Sequence, residues 1–190
     1  MQKVVLNITM SVDGFIAGPD ISKELPLGKD GPSLHNWLFA DKTEIDSSLL
    51  KEVVESSGAV IVGSRTYVTA IEDAWGGVSP FEVPAFVICH AEPEVTAPGF
   101  TFITNGIEAA LDQARLVAGN KNVWVMGGAD IIQQYLKAKL VDSLDLHIAP
   151  VLLRSGTRLF DHIGPDKIEL KKISVIDTPA ATHIRYDIVR

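Results

Sequence analysis

The residues best suited to chemistry sit at two glycine-bearing corners. Gly127-Gly128 directly follow the apolar run Val123-Trp124-Val125-Met126. Beyond them Ile131, Ile132, Tyr135, Leu136 and Leu140 recur at helical spacing, which predicts a helix from about Ala129 to Lys139. Two glycines let the backbone bend sharply and let a ligand approach without meeting a Cβ. The free N–H groups of the following helix, helped by its dipole, then suit a phosphate or pyrophosphate. The same pair serves equally well a tight strand-to-helix turn that holds no ligand. Gly63-Ser64-Arg65-Thr66 form a second corner, with two hydroxyls and a guanidinium able to grip an anion. Arg65 is also the kind of residue that usually sits solvated on a surface.

Single residues add less. His147 interrupts an otherwise apolar strand pattern with a group that can donate or accept a hydrogen bond. It either faces a substrate or is a core histidine satisfied by backbone. Asp13-Gly14 is an ordinary turn pair. His90 is either a plain loop residue or a neighbour of a ligand. Cys89 ends a strand pattern with no base beside it and reads as a small core residue. No CxxC, HExxH or Cys/His cluster is present, so no metal site is expected.

The elements that must position these groups follow from periodicity. Val4 to Met10 alternate as a strand and leave into a glycine-containing loop at Ser11–Ala17. Residues 21–41, rich in Gly, Pro, Ser and Asp, read as a long loop sized for a lid, with an apolar knot at Trp37-Leu38-Phe39. That knot either lines a pocket or anchors the loop. A helix follows with Ile45, Leu49, Leu50, Val53 and Val54 on one face, ended at Ser56-Ser57-Gly58. Strands are expected at Ala59–Val62, Ala85–Cys89, Phe100–Ile103 and Leu144–Val151. Asn105 and Glu108 suggest a capping box opening a helix that Gly119 closes. Two strands, Ile168–Ile176 and His183–Val189, make a terminal antiparallel hairpin joined at Asp177-Thr178-Pro179. Alternating strands and helices with a closing hairpin imply one α/β domain over 1–190, its mixed sheet mainly parallel and flanked by helices.

Composition narrows the partners. The chain has 190 residues, 46% hydrophobic, enough to bury a core without disulfides. A net charge of −7 argues against nucleic acid or an anionic membrane as partner. The lone Cys89 fits a reducing compartment, and Asn7, Thr9 and Asp13-Gly14 interrupt the first apolar run too soon for a signal peptide or span. A cytoplasmic location is the expectation.

Four ordered pieces carry a resemblance that covers nearly the whole chain. They are Ser11-Val12-Asp13-Gly14-Phe15-Ile16-Ala17, Val62-Gly63-Ser64-Arg65-Thr66-Tyr67, Val125-Met126-Gly127-Gly128-Ala129, and Leu144 to Leu153 followed by Gly156-Thr157-Arg158-Leu159-Phe160. With them the chain resembles the dihydrofolate-reductase-like superfamily, closest to the reductase domain of the riboflavin-biosynthesis deaminase-reductase. The resemblance implies hydride transfer from NADPH to a small heterocyclic, carbonyl or imine substrate. It places the pyrophosphate near Gly127, Gly128, Ala129 and Asp130, and the adenosine 2′-phosphate near Gly63, Ser64, Arg65 and Thr66. His90 would border the adenine, Ile16 and Ala17 would touch the cofactor, and Asp13 and His147 would face the chemistry. The nicotinamide would reach a pocket between the Asp13–Ala17 loop and the His147 strand, covered by the Trp37 region. A homodimer is implied as well. Ser64 and Ala91 stand where relatives often carry basic residues, and Arg154-Ser155 replace a glycine pair. Folate reductases use a carboxylate in the helix after the first loop; Asp41, Glu44 and Asp46 are the candidates here, none matching well. No deaminase signature precedes the domain, so a complete riboflavin enzyme is not expected. The contrasting reading is a nucleotide-binding module that holds NADP without turnover.

Overall fold

A computed structural model describes residues 2–72, 74–94 and 96–190. In chain order its elements are β1 (Val4–Ser11), β2 (Phe15–Ala17), a 3-10 turn at Gly31–His35, α1 (Asn36–Phe39), α2 (Glu44–Ser56), β3 (Ser57–Gly63) and α3 (Ser64–Ala70). Then come β4 (Ala85–Ile88), β5 (Phe100–Ile103), α4 (Ile107–Ala118), β6 (Asn122–Gly127) and α5 (Ala129–Lys137). The chain ends with β7 (Ser143–Ala149), β8 (Thr157–Arg158), β9 (Leu170–Thr178) and β10 (Ala181–Ile188).

Eight strands form one sheet in the order β5-β4-β3-β6-β1-β7-β10-β9, while β2 and β8 pair separately. The six strands from β5 to β7 run parallel; β10 is antiparallel to β7 and to β9. The expected mixed α/β sheet with its terminal hairpin is therefore present. Its turn falls at Pro179-Ala180, because pairing runs on to Thr178 and Ala181.

The sheet has two unlike faces. On one, α4 and α5 bury Ala110, Leu111, Ile131, Ile132, Tyr135 and Leu136 against Val4, Leu6, Ile61, Val123, Val125, Leu144 and Leu146. Burying each such large aliphatic side chain contributes about 1.5–3 kcal/mol, which suffices to dock a helix as short as α5. On the other, α3 and the Val53 side of α2 pack Tyr67 and Ile71 on Val60, Val62, Val87 and Trp124. Next to that cluster the same face turns polar. Cross-strand register aligns Asn7 with Asp145 and Arg185, and Thr9 with His147 and His183.

Three expectations need correction. The long loop contains the Gly31–His35 turn and α1, and Trp37 is buried while Phe39 is 81% exposed. The apolar stripe of α2 is only partly its inner face: Val53 is buried and Leu49 and Leu50 are half-buried, but Ile45 and Val54 are 50% and 41% exposed and Asp46 is buried instead. Opening α4 is Gly106 at φ 101, with no side-chain cap, so Asn105 and Glu108 do not form a box.

Candidate functional site

The parallel strands deliver β3 and β6 side by side, and both end in a glycine corner. α3 leaves toward one face and α5 toward the other, so the two corners lie at the carboxyl ends of adjacent strands, the usual ligand position in open α/β sheets. The corners pack closely. A Cβ on Gly63 would lie 2.8 Å from Ile131 Cγ1 and 3.6 Å from the Gly128 nitrogen; one on Gly128 would lie 3.4 Å from Thr66 Oγ1. Gly127 adopts φ 131, which a side chain would resist, and the Gly127–Gly128 peptide is cis. Neither Gly63 nor Gly128 offers a side-chain cap to the helix it opens, so the first N–H groups of α3 and α5 converge uncapped. Ser64 and Thr66 are half-buried at this corner, and Arg65 is exposed with no ion-pair partner among the described residues. Donors, a dipole and a free guanidinium without any Cβ between them fit a phosphate-bearing ligand.

Further residues flank the two corners. His90 is exposed just beyond β4, next to β3. Ala129 is buried, whereas Asp130 is exposed and its carboxylate accepts a 2.7 Å hydrogen bond from Gln134 Nε2. On the opposite side of β6 lies β1, whose exit loop carries Asp13, Ile16 and Ala17. Ile16 and Ala17 are buried in β2, with Ile16 packed into the α4–α5 core.

Asp13 is a tether. Its carboxylate accepts from the Ser11 hydroxyl at 2.6 Å and from the Leu153 and Arg154 amides at 3.1 and 2.8 Å. The Ser11 hydrogen bond, followed by those two amides, holds the carboxyl below its usual range against a desolvation that opposes it. An ionised, multiply accepting carboxylate keeps the β1 exit loop on the 153–154 segment.

His147 sits in β7 on the polar face and is only 5% exposed. Trp37 lies over it, ring centroids 4.4 Å apart, and donates its indole N–H to Thr9 Oγ1 at 3.1 Å. His147 Nδ1 faces His183 Nδ1 at 2.7 Å, while its Nε2, although buried, has no partner among the described residues. Burial first, and then the neighbouring His183, pushes the imidazole down to about 3, so it is neutral. Arg185 meets Asp145 through two hydrogen bonds of 2.9 and 3.0 Å and reaches Glu52 on α2 at 2.8 Å. Asn7, Thr9, Asp46, Asp145, His183 and Arg185 thus join His147, and periodicity alone did not single them out as a site. The available signal was polar alternation in three strands that become neighbours.

The model of the RibD C-terminal domain matches residues 2–182. YwjB, an uncharacterised protein of Bacillus subtilis (strain 168), is 27% identical over 172 residues, covering 90% of each chain. A structure from Shewanella sp. PV-4, ascribed to riboflavin biosynthesis, superposes with a TM-score of 0.79 at 20% identity over 100% of both chains. The Thermotoga maritima diaminohydroxyphosphoribosylaminopyrimidine deaminase/5-amino-6-(5-phosphoribosylamino)uracil reductase gives 0.66 at 14% identity. There the similarity covers 99% of this chain but 57% of the other, and at such identities both superpositions speak for the fold alone. The chain therefore belongs to the RibD C-terminal domain family, the riboflavin-biosynthesis reductase branch of the dihydrofolate-reductase-like superfamily.

Proposed function

We propose that this chain is an NADPH-dependent reductase acting on a small heterocyclic, carbonyl or imine substrate. The observation that carries the reading is the pair of uncapped helix N-termini brought together by Gly63 and Gly128 at the carboxyl ends of β3 and β6. Gly127, Gly128, Ala129 and Asp130 would hold the pyrophosphate through backbone, and Gly63, Ser64, Arg65 and Thr66 the 2′-phosphate. His90 would flank the adenine, and Ile16 and Ala17 the nicotinamide side. When bound, the cofactor supplies the hydride. The protein's work is to orient it, exclude water and manage a proton.

Two measurements test this reading. NADPH should quench the intrinsic fluorescence on titration. Its oxidation should accelerate with at least one member of a panel of pterins, quinones, aldehydes and pyrimidine ribityl compounds. Binding without turnover across the panel would instead mark a nucleotide-binding module; no binding would end the reading.

Arg65→Ala is expected to weaken NADPH about tenfold and NADH hardly at all. A charge-assisted contact at an exposed arginine belongs near the lower end of its range, about 1.5 kcal/mol. Calorimetric titration of both nucleotides checks this, and equal losses would show that Arg65 does not read the 2′-phosphate.

A homodimer belongs to the same proposal. The edge strand β9 exposes Leu170, Ile173 and Val175, an apolar row a second copy could cover. Sedimentation at micromolar concentration should give twice the chain mass; a monomer would remove the dimer from the reading.

A further inference from the structure

Asp46 has two tasks, and the second leads inward. As the third residue of α2 it closes a capping box: its Oδ2 accepts from the Thr43 amide at 2.8 Å and the Thr43 hydroxyl at 2.7 Å. The Asp46 amide donates back to Thr43 Oγ1 at 3.2 Å, and a capping box needs nothing more. Here the carboxylate is 0% exposed, and its Oδ1 meets His183 Nε2 at 2.9 Å and the Thr178 hydroxyl at 3.0 Å. His183 continues through Nδ1 to His147 Nδ1 at 2.7 Å. An unbroken line of exchangeable protons therefore runs from the half-buried Thr43 to His147.

The chemistry of the groups assigns every proton along it. Hydrogen bonds from Thr43, Thr178 and His183 outweigh the desolvation of Asp46 and keep it ionised. His183 must then carry its proton on Nε2. Its Nδ1 is a lone pair, so the proton between the two Nδ1 atoms belongs to His147. His147 Nε2 is left bare, and no group of the described residues meets it. Asn7 Nδ2, on the adjacent strand, likewise lacks a partner. Asn7, His147 and His183 line a cavity of about 50 Å³ beneath α2. The other charged or titratable groups around the cluster are His35, Asp177 and the Arg185–Asp145–Glu52 set.

We propose that Asp46, anchored by the Thr43 cap of α2, together with His183 and His147 forms a proton relay that ends at His147 Nε2, where it delivers the proton that completes reduction. The destination rests on the reductase reading; the relay itself does not. In the loaded state protons sit on Asp46 Oδ1, His183 Nδ1 and His147 Nε2. As hydride joins the acceptor carbon, its double bond to oxygen or nitrogen breaks and the electron pair moves to that atom. The atom takes the Nε2 proton of His147. His147 Nδ1 takes the proton of His183, His183 Nε2 takes that of Asp46, and the negative charge ends on Asp46. Reloading retraces the path: a solvent proton entering the cavity goes to His147 Nε2, the Nδ1 proton of His147 passes to His183 Nδ1, and the Nε2 proton of His183 passes to Asp46 Oδ1. His147 is the group that would touch substrate, and His183 and Asp46 act through it.

Nitrogen-15 NMR of the imidazoles tests the relay without any substrate. Wild type should show His183 protonated on Nε2 and His147 on Nδ1. In Asp46→Asn the amide oxygen must stay on the two Thr43 donors, which turns the NH2 toward His183 Nε2. Both tautomers should then invert, to His183 Nδ1–H and His147 Nε2–H. A purely structural contact would not carry inversion as far as His147. Turnover of the first panel compound reduced should fall at least about tenfold, with NADPH affinity within about twofold of wild type. A resting, substrate-free wild type with His147 protonated on Nε2, or an unchanged His147 in Asp46→Asn, overturns the relay. Inversion with unchanged turnover overturns its role in reduction. Inversion in a protein that never binds NADPH overturns the reductase reading and leaves the relay standing. Wild-type spectra alone can refute the assignment should the variant fail to fold.

Discussion

Gly128→Leu is expected to fold and to bind NADPH about a hundredfold more weakly than wild type, a loss of about 2.7 kcal/mol. The backbone at Gly128, φ −77 and ψ −163, lies in the extended region open to any residue. A Cβ there would stand 3.4 Å from Thr66 Oγ1, a contact that hydroxyl can absorb by a small shift. Gly128→Ala should therefore keep fold and most affinity. The remaining atoms of leucine enter the gap between the first turns of α5 and α3, where the pyrophosphate and 2′-phosphate are expected to meet backbone N–H groups. Gly63 makes the contrast: its Cβ would press Ile131 Cγ1 at 2.8 Å, so substitution there strains the core before it tests binding. Fluorescence titration, with circular dichroism as the folding control, decides the matter. A folded Gly128→Leu protein with wild-type affinity would remove the phosphate corner from this fold.

The corners were legible because local rules suffice for them. A β-branched run, a glycine pair and a 3.6-residue apolar period at Ile131, Ile132, Tyr135 and Leu136 specify strand, turn and docked helix within fifteen residues. The terminal hairpin was legible for the same reason, two alternating runs around one proline. The buried polar cluster was not. Asn7 and Thr9 in β1, Asp145 and His147 in β7, and His183 and Arg185 in β10 each alternate with apolar residues, the pattern of a strand with one wet face. Only the register of three strands distant in sequence stacks them, and only α2 and Trp37 roof them. Asp46 entered only as one of three carboxylates suggested by the resemblance: hydrophobic periodicity assigns a carboxylate to the outer face, and nothing local says that His183 waits inside. The turn at Gly31–His35 and the single turn of α1 escaped because such short helices are held by Trp37 packing rather than by propensity.

Stability should fall steeply as pH drops from 6.5 toward 4, and the buried histidines are the reason. Burial, then His183, pushes His147 down to about 3. Burial also lowers His183, against the opposing hydrogen bond from Asp46, and it lowers His35. In the unfolded chain each histidine titrates near about 6.5. Below that pH the unfolded state binds protons that the native state refuses, so acid favours unfolding. The contribution of neutral His147 is thus complete above the unfolded pKa and is lost progressively as pH falls toward the folded value. Asp46 and Asp13 are also lowered, but from the carboxylate value, so their contributions survive until pH drops below that range. The window between 6.5 and 4 therefore belongs to the histidines. For His147 alone, moving from pH 7 to 5 should cost about 2 kcal/mol, at about 1.4 kcal/mol for each pH unit below 6.5. Urea midpoints at the two pH values measure the loss. His147→Phe keeps a ring against Trp37 and cannot be protonated, so it should be less stable at pH 7 yet lose about 2 kcal/mol less on acidification. Equal acid losses in both proteins would mean that His147 is already charged, or solvated, in the native state, and the neutral tautomer chain from Asp46 would fall with it.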